Sequence, residues 1–203
     1  MRLLLPLLFA LPLAAVADEN THYQFELSAL AGQTIGGDIK PLVDDVATKR
    51  SNEGAYALLL NINDGYNKRG ALLQYELLLA QLDSDVQLSG DVNNSYQVHS
   101  RYLHFGGTYE FNDSNFRPYI AASLGLTHVQ AAGNDSNNDW SMGFGAGIKW
   151  YPLQWLGVRL DARGFGTFYN EKTAIICDGG CVAGMESDVW WQSMISGGLS
   201  VRF

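Results

Sequence analysis

From Val189 to Phe203 the chain alternates: Trp191, Ile195, Leu199, Val201 and Phe203 fall on one face of an extended strand, and Met194, Ser196, Gly198, Ser200 and Arg202 on the other. The same two-residue period runs through seven earlier segments, 22–31, 54–63, 69–82, 98–111, 116–130, 139–151 and 155–169, each bounded by turn-forming residues. One face of this set is almost free of charge, with Phe25, Leu27, Tyr56, Leu58, Leu77, Leu79, Leu103, Phe105, Leu124, Phe144, Leu160 and Ile195. The opposite face carries Gln24, Glu26, Ser28, Gln74, Glu76, His104, Thr108, Glu110, Ser123, Thr127, Lys149, Arg159, Asp161, Arg163, Ser196 and Arg202. Aromatic residues gather near segment ends, as they do in the interfacial belts of a membrane barrel. A tilted strand crosses a bilayer in about 9–11 residues, and each segment is long enough. The pattern predicts an all-β chain of eight antiparallel strands.

The connections give the strands a direction. "NDGYNK", "NDSN" and "PLQ" are short, whereas 32–53, 83–97, 131–138 and 170–188 are longer, and the two kinds alternate. Short turns on one side and longer loops on the other, with an even strand count, mark an up-and-down barrel of the outer-membrane kind. Alternation alone would also fit a soluble calyx with its apolar face turned inward. The N-terminus favours the membrane. "MRLLLPLLFALPLAAVADEN" has a charged start at Arg2, an apolar run and the small-residue site Ala15-Val16-Ala17, which predicts a secretory signal peptide over residues 1–17. Residues 18–203 are then the transmembrane β-barrel. No other stretch has the roughly 20 apolar residues of a spanning helix.

The polar face predicts what fills the barrel. Glu26, Glu76, Glu110 and Asp161 balance Lys149, Arg159, Arg163 and Arg202. Charges in a narrow lumen are costly unless paired, and eight strands leave room for side chains and little else. An interlocked salt-bridge interior is expected, with His104 hydrogen-bonded inside it. The alternative is a narrow gated channel lined by Arg159, Asp161 and Arg163.

Charge outside the strands is lopsided. Removal of Arg2 with the leader leaves 12 bases against 21 acids. The long loops and their edges hold Asp38, Asp44, Asp45, Glu53, Asp83, Asp85, Asp91, Asp135, Asp139, Glu171, Asp178, Glu186 and Asp188 against Lys40, Lys49, Arg50 and Lys172. Such a rim disfavours nucleic acid. "GNDSNNDW" at 133–140 lacks the spacing and closing glutamate of a calcium loop, so no metal or cofactor is expected. Cys177 and Cys181, the only cysteines, lie in the last long loop of an exported chain, which predicts a disulfide pinning its tip. His99 with Ser100, or His128, are the residues an enzyme would use. Neighbours in a strand face opposite ways and no triad spacing accompanies them, so the chain is not expected to be an enzyme.

The segments "YLHFGGTYEF", "FRPYIAASLGLTH", "SMGFGAGIKWYPLQWLGVRLDARGFGTFYN" and "CDGGCVAG…WWQSMISGGLSVRF" resemble the small outer-membrane β-barrel superfamily of the OmpA transmembrane domain and OmpX type, within a proteobacterial group of such barrels. The resemblance implies that Phe203 is the terminal signal read by the outer-membrane assembly machinery. It also implies a monomer in a Gram-negative outer membrane, in contact with outer-membrane lipid and lipopolysaccharide. The expected role is structural or surface-interacting through the acidic loops. A narrow transport barrel of the OmpW type is the alternative, and a lipid-modifying barrel enzyme ranks below it.

Overall fold

The structure is a computed structural model that describes residues 23–35, 48–66, 71–88, 95–112, 114–131, 137–168, 174–177, 181–184 and 189–203. The expected signal peptide, the segment 36–47, Asp91, Asp135, Glu171, Lys172, Asp178, Glu186 and Asp188 lie outside the described residues.

Eight strands close on themselves: β1 (Phe25–Ile35), β2 (Thr48–Tyr66), β3 (Leu72–Leu88), β4 (Ser95–Glu110), β5 (Phe116–Ala131), β6 (Asn137–Trp150), β7 (Leu156–Phe168) and β10 (Val189–Arg202). Each pairs antiparallel with its chain neighbours, and β1 pairs with β10 to complete the barrel. Closure leaves no sheet edge, the condition for a β structure to sit in hydrocarbon. Between β7 and β10 a separate two-stranded ribbon forms from β8 (Ala174–Cys177) and β9 (Cys181–Gly184).

Sidedness follows the two-residue period. In β7 the inward residues Arg159, Asp161 and Arg163 are buried, while Val158, Leu160 and Ala162, which alternate with them, are exposed. The exposed large side chains include Tyr56, Leu79, Phe105, Leu124, Phe144 and Ile195, all from the apolar face. The charge-free face thus points out and most of the polar face points in, the reverse of a soluble protein. Gln24 is the exception on the polar face, exposed just before β1.

The rim at Phe25 and Phe203 is aromatic. Phe25 and Phe203 exchange main-chain hydrogen bonds of 2.9 and 3.0 Å, and their rings stack with centroids 5.8 Å apart. Tyr109 meets Phe111 edge-on at 5.4 Å. The turn after β2 is prepared by a bulge between Asn63 and Gly65, where Gly65 takes φ +138°, a conformation open to glycine and costly for other residues.

The strands depart most from the sequence expectation at the loop ends of β1–β4. Residues 32–35 and 48–53, expected in a loop, extend β1 and β2, and 83–88 with 95–97, also expected in a loop, extend β3 and β4. The connections there shorten to 89–94 and, after β5, to 132–136, so the alternation of loop lengths is weaker than the sequence suggests. The cause is backbone pairing that continues beyond the apolar band: Asp83 faces His99 and Asp85 faces Gln97 across β3 and β4. Hydrophobic alternation marks the span that meets lipid, and the ladder runs past it. The loop expected over 170–188 contains the β8–β9 ribbon, which places Cys177 and Cys181 as backbone partners.

Candidate functional site: the packed lumen

The nine predicted lumen residues come from six strands and meet inside the barrel. Nearest the termini, Lys149 of β6 reaches Glu26 of β1 and Glu110 of β4, both at 2.7 Å, and Gln74 of β3 at 3.0 Å. Arg202 completes this layer, with its Nε 3.3 Å from Glu26 and its guanidinium stacked 3.2 Å over the centre of the Tyr151 ring.

One layer further in, two arginines from β7 share two carboxylates. Arg159 Nη2 lies 2.9 Å from Glu76 and 3.3 Å from Asp161. Arg163 Nη1 is 2.7 Å from Glu76, and its Nε and Nη2 each donate to Asp161 at 3.1 Å. Residues i and i+2 in a strand share a face, so "RLDAR" puts Arg159, Asp161 and Arg163 in one column. Asn61 accepts from Arg159 at 3.1 Å and donates to Glu76 at 3.2 Å. The Tyr119 hydroxyl accepts from Arg159 Nε at 2.8 Å and donates to Asp161. Guanidinium forks suit such shared, planar contacts better than an ammonium would.

His104 sits above this layer with both ring nitrogens engaged, to Ser123 at 3.0 Å and Ser141 at 2.8 Å. Its ring packs edge-on to Phe165 at 5.3 Å and to Tyr102 at 5.7 Å.

Sequence reasoning missed three parts of the lumen. Arg117, half-buried at the start of β5, donates to Glu110 at 3.3 Å, so a fifth cation joins the network. Tyr119 and Tyr151 are the second part, and inward aromatic residues on β5 and after β6 look in the sequence like any other strand residue. The third part is an apolar layer beyond His104: Leu30, Ala57, Leu59, Leu78, Ala80, Tyr102, Phe165 and Met194 are buried together. Its signal was present in "LLLAQL", where both faces of β3 are apolar. A lumen filled by charges at one end and by hydrocarbon toward the other is therefore a solid core along much of its length.

Glycine makes the room. On β6, Gly143, Gly145 and Gly147 alternate inward toward Lys149. A Cβ at Gly143 would lie 2.6 Å from Ser123 Oγ and 3.1 Å from His104 Nδ1, and one at Gly147 would collide with the Tyr119 ring and the Leu160 carbonyl. The large lumen side chains lie across this bare stretch of wall.

The remaining sequence candidates do not assemble. His99 faces outward and pairs with Asp83 at 2.7 Å, whereas Ser100 is buried on the opposite face. His128, also outward, bonds Asn138 at 2.8 Å. Among the described residues no group of His, Cys, Asp or Glu is placed to hold a metal ion.

A closed, up-and-down barrel of eight antiparallel strands, apolar outside and ion-paired within, defines a small transmembrane β-barrel. The chain matches the family described as outer membrane protein beta-barrel domain over residues 3–203 and belongs to it. Two solved structures share the fold. Neisserial surface protein A aligns with a TM-score of 0.53 at 13% identity, covering 88% of this chain and 97% of its own. OprG from Pseudomonas aeruginosa aligns at 0.56 and 13%, covering 89% and 96%. No curated protein matches the sequence. The protein resides in the outer membrane; in a barrel of this kind the rim that carries Phe25, Tyr66, Glu110, Phe116, Trp150 and Phe203 is the periplasmic one, and the rim at Ile35, Leu88, Ala131 and Val189 is the outer one.

Proposed function

We propose that this protein is a non-conducting outer-membrane barrel that acts through its exterior, as a structural or surface-interaction protein, and that it is not an enzyme. One observation carries the reading: the two-layer ion network, in which Arg159 and Arg163 tie β7 to Glu76 on β3 while Lys149 ties β6 to β1 and β4. These contacts span the lumen, and most of the partners are buried on all sides. Opening a water path would require separating charges with no alternative partners, at several kcal/mol for each. The exterior then carries the activity, including the acidic outer loops and a Cys177–Cys181 disulfide at the tip of the β8–β9 ribbon.

A narrow conduit for small or hydrophobic solutes is the second reading, favoured by the apolar layer around Leu59, Leu78, Phe165 and Met194. Planar-bilayer recording separates the two. Discrete steps altered by Asp161→Asn or Arg159→Gln would support the conduit, and silence from a folded, inserted sample would support the closed barrel. Lipid A of unchanged composition in overexpressing cells is the result expected of a non-enzyme. An altered lipid A lost in His128→Ala or His99→Ala would contradict that part.

A further inference from the structure

The outer wall changes character between two adjacent rows of cross-strand neighbours. Ala29, Leu58, Leu79, Leu103, Leu126 and Trp140 form an apolar row. The next row toward the outer loops is Ala31, Tyr56, Gln81, Arg101, His128 and Asn138. The hydrocarbon band of the wall ends between them.

Across β1–β4 these rows border a groove of about 470 Å³, with Ala29, Tyr56, Leu58 and Leu79 along it and Gln81 and Arg101 at its polar end. Its floor is the wall at Leu30, Ala57, Ala80 and Tyr102, whose side chains are buried in the lumen. The space arises because β1 offers only Ala29 and Ala31 beside the bulky Tyr56 and Leu58.

Arg101 is exposed and makes no ion pair among the described residues. The nearest outward carboxylate on β3, Asp83, is already engaged by His99 at 2.7 Å and by Gln81 at 3.1 Å. A guanidinium free to make paired hydrogen bonds at the head of an apolar groove matches an amphiphile with an acyl chain and a phosphate. The groove opens toward the outer leaflet, whose lipid in this membrane is phosphorylated and multiply acylated.

We propose that this groove is a binding site for lipopolysaccharide, engaged through lipid A. One acyl chain lies along Ala29, Tyr56, Leu58 and Leu79, and a glucosamine phosphate sits on Arg101 with Gln81 beside it. The site lies on the opposite side of the wall from the ion network and does not depend on whether the lumen conducts.

The test is native mass spectrometry of the refolded full chain in detergent, titrated with bis-phosphorylated lipid A, with its monophosphoryl form and with phosphatidylglycerol. Both forms of lipid A should be retained above phosphatidylglycerol, since the site takes one glucosamine phosphate, and their retention should fall about tenfold or more in Arg101→Gln, the loss of a charge-assisted contact. Ala29→Trp, which fills the groove and leaves Arg101 in place, should lower it as well. Heat-modifiable gel migration checks that each variant is folded, and either variant alone suffices if the other fails to fold. Equal retention in wild type and folded variants would overturn the proposal. Phosphatidylglycerol held as tightly as lipid A would overturn it too, because Arg101 would then be an ordinary interfacial cation among annular lipids.

Discussion

Arg159 makes more contacts inside the lumen than any single pairing requires: Glu76, Asp161, Asn61 and the Tyr119 hydroxyl all meet its guanidinium, and its Cζ lies 4.6 Å over the Tyr119 ring. Replacing it removes one partner of a buried set and leaves Glu76 and Asp161 short of charge, which typically costs 3–5 kcal/mol. Arg159→Met should therefore destabilise the barrel by about that amount in reversible urea unfolding from lipid vesicles. Arg159→Lys should recover only part of the loss, because an ammonium cannot fork between two carboxylates. A stability within error of wild type for Arg159→Met would contradict the network. These charges were legible in the sequence from parity alone, since Glu76 and Arg159 fall on inward positions whichever strands adjoin. Their pairing was not legible, because contacts across a lumen depend on register and tilt. Arg117 was hidden for a similar reason: it lies at the very start of β5 beside the turn, where inward and outward positions are poorly distinguished.

At the scale of a strand, β6 and β10 do different work. β6 supplies a bare inward face, and Gly143 and Gly147 set how far Tyr119 and His104 can reach across. Gly147→Val should fail to give a heat-modifiable band or should unfold at markedly lower urea. Gly164→Ala, whose added Cβ would have only Ser193 Oγ near it at 3.8 Å, should behave as wild type. β10 closes the sheet against β1, and Phe203, directly after it, is bonded at both main-chain groups to Phe25. Phe203→Ala keeps those bonds but loses the ring stack, and slower assembly with accumulation in the periplasm is expected, measured by pulse-chase of folded and unfolded forms. Assembly at the wild-type rate would remove Phe203 from that role. The β8–β9 ribbon carries a further expectation, since Cys177 and Cys181 are backbone partners there. The protein isolated under oxidising conditions should take up no thiol label until reduced, and label at both cysteines beforehand would exclude a disulfide. Strand identity was readable from alternation at all eight positions. Strand ends were not readable, because the β2–β4 ladders continue where the sequence has already turned polar, and pairing needs only backbone.

For the whole molecule, an apolar exterior and a filled interior are two consequences of one alternating pattern, and the membrane decides which face is which. The expected leader and the expected alternation of short and long connections pointed to the outer membrane from the sequence, and the family match places the chain there. The composition of the lumen along its length was only half legible. Charge alternation on β7 announced the periplasmic layer, but the apolar layer around Leu78 and Phe165 was masked by strands apolar on both faces. The two layers together predict a barrel that is sealed twice, by ion pairs below and by packed hydrocarbon above. The most direct test is planar-bilayer conductance of the refolded full chain, with heat-modifiable migration as proof of folding. The sealed barrel predicts silence in wild type, and no discrete steps should appear while the Arg159 and Arg163 network is intact. Discrete steps in wild type that shift with Asp161→Asn would contradict it and make the lumen the working site.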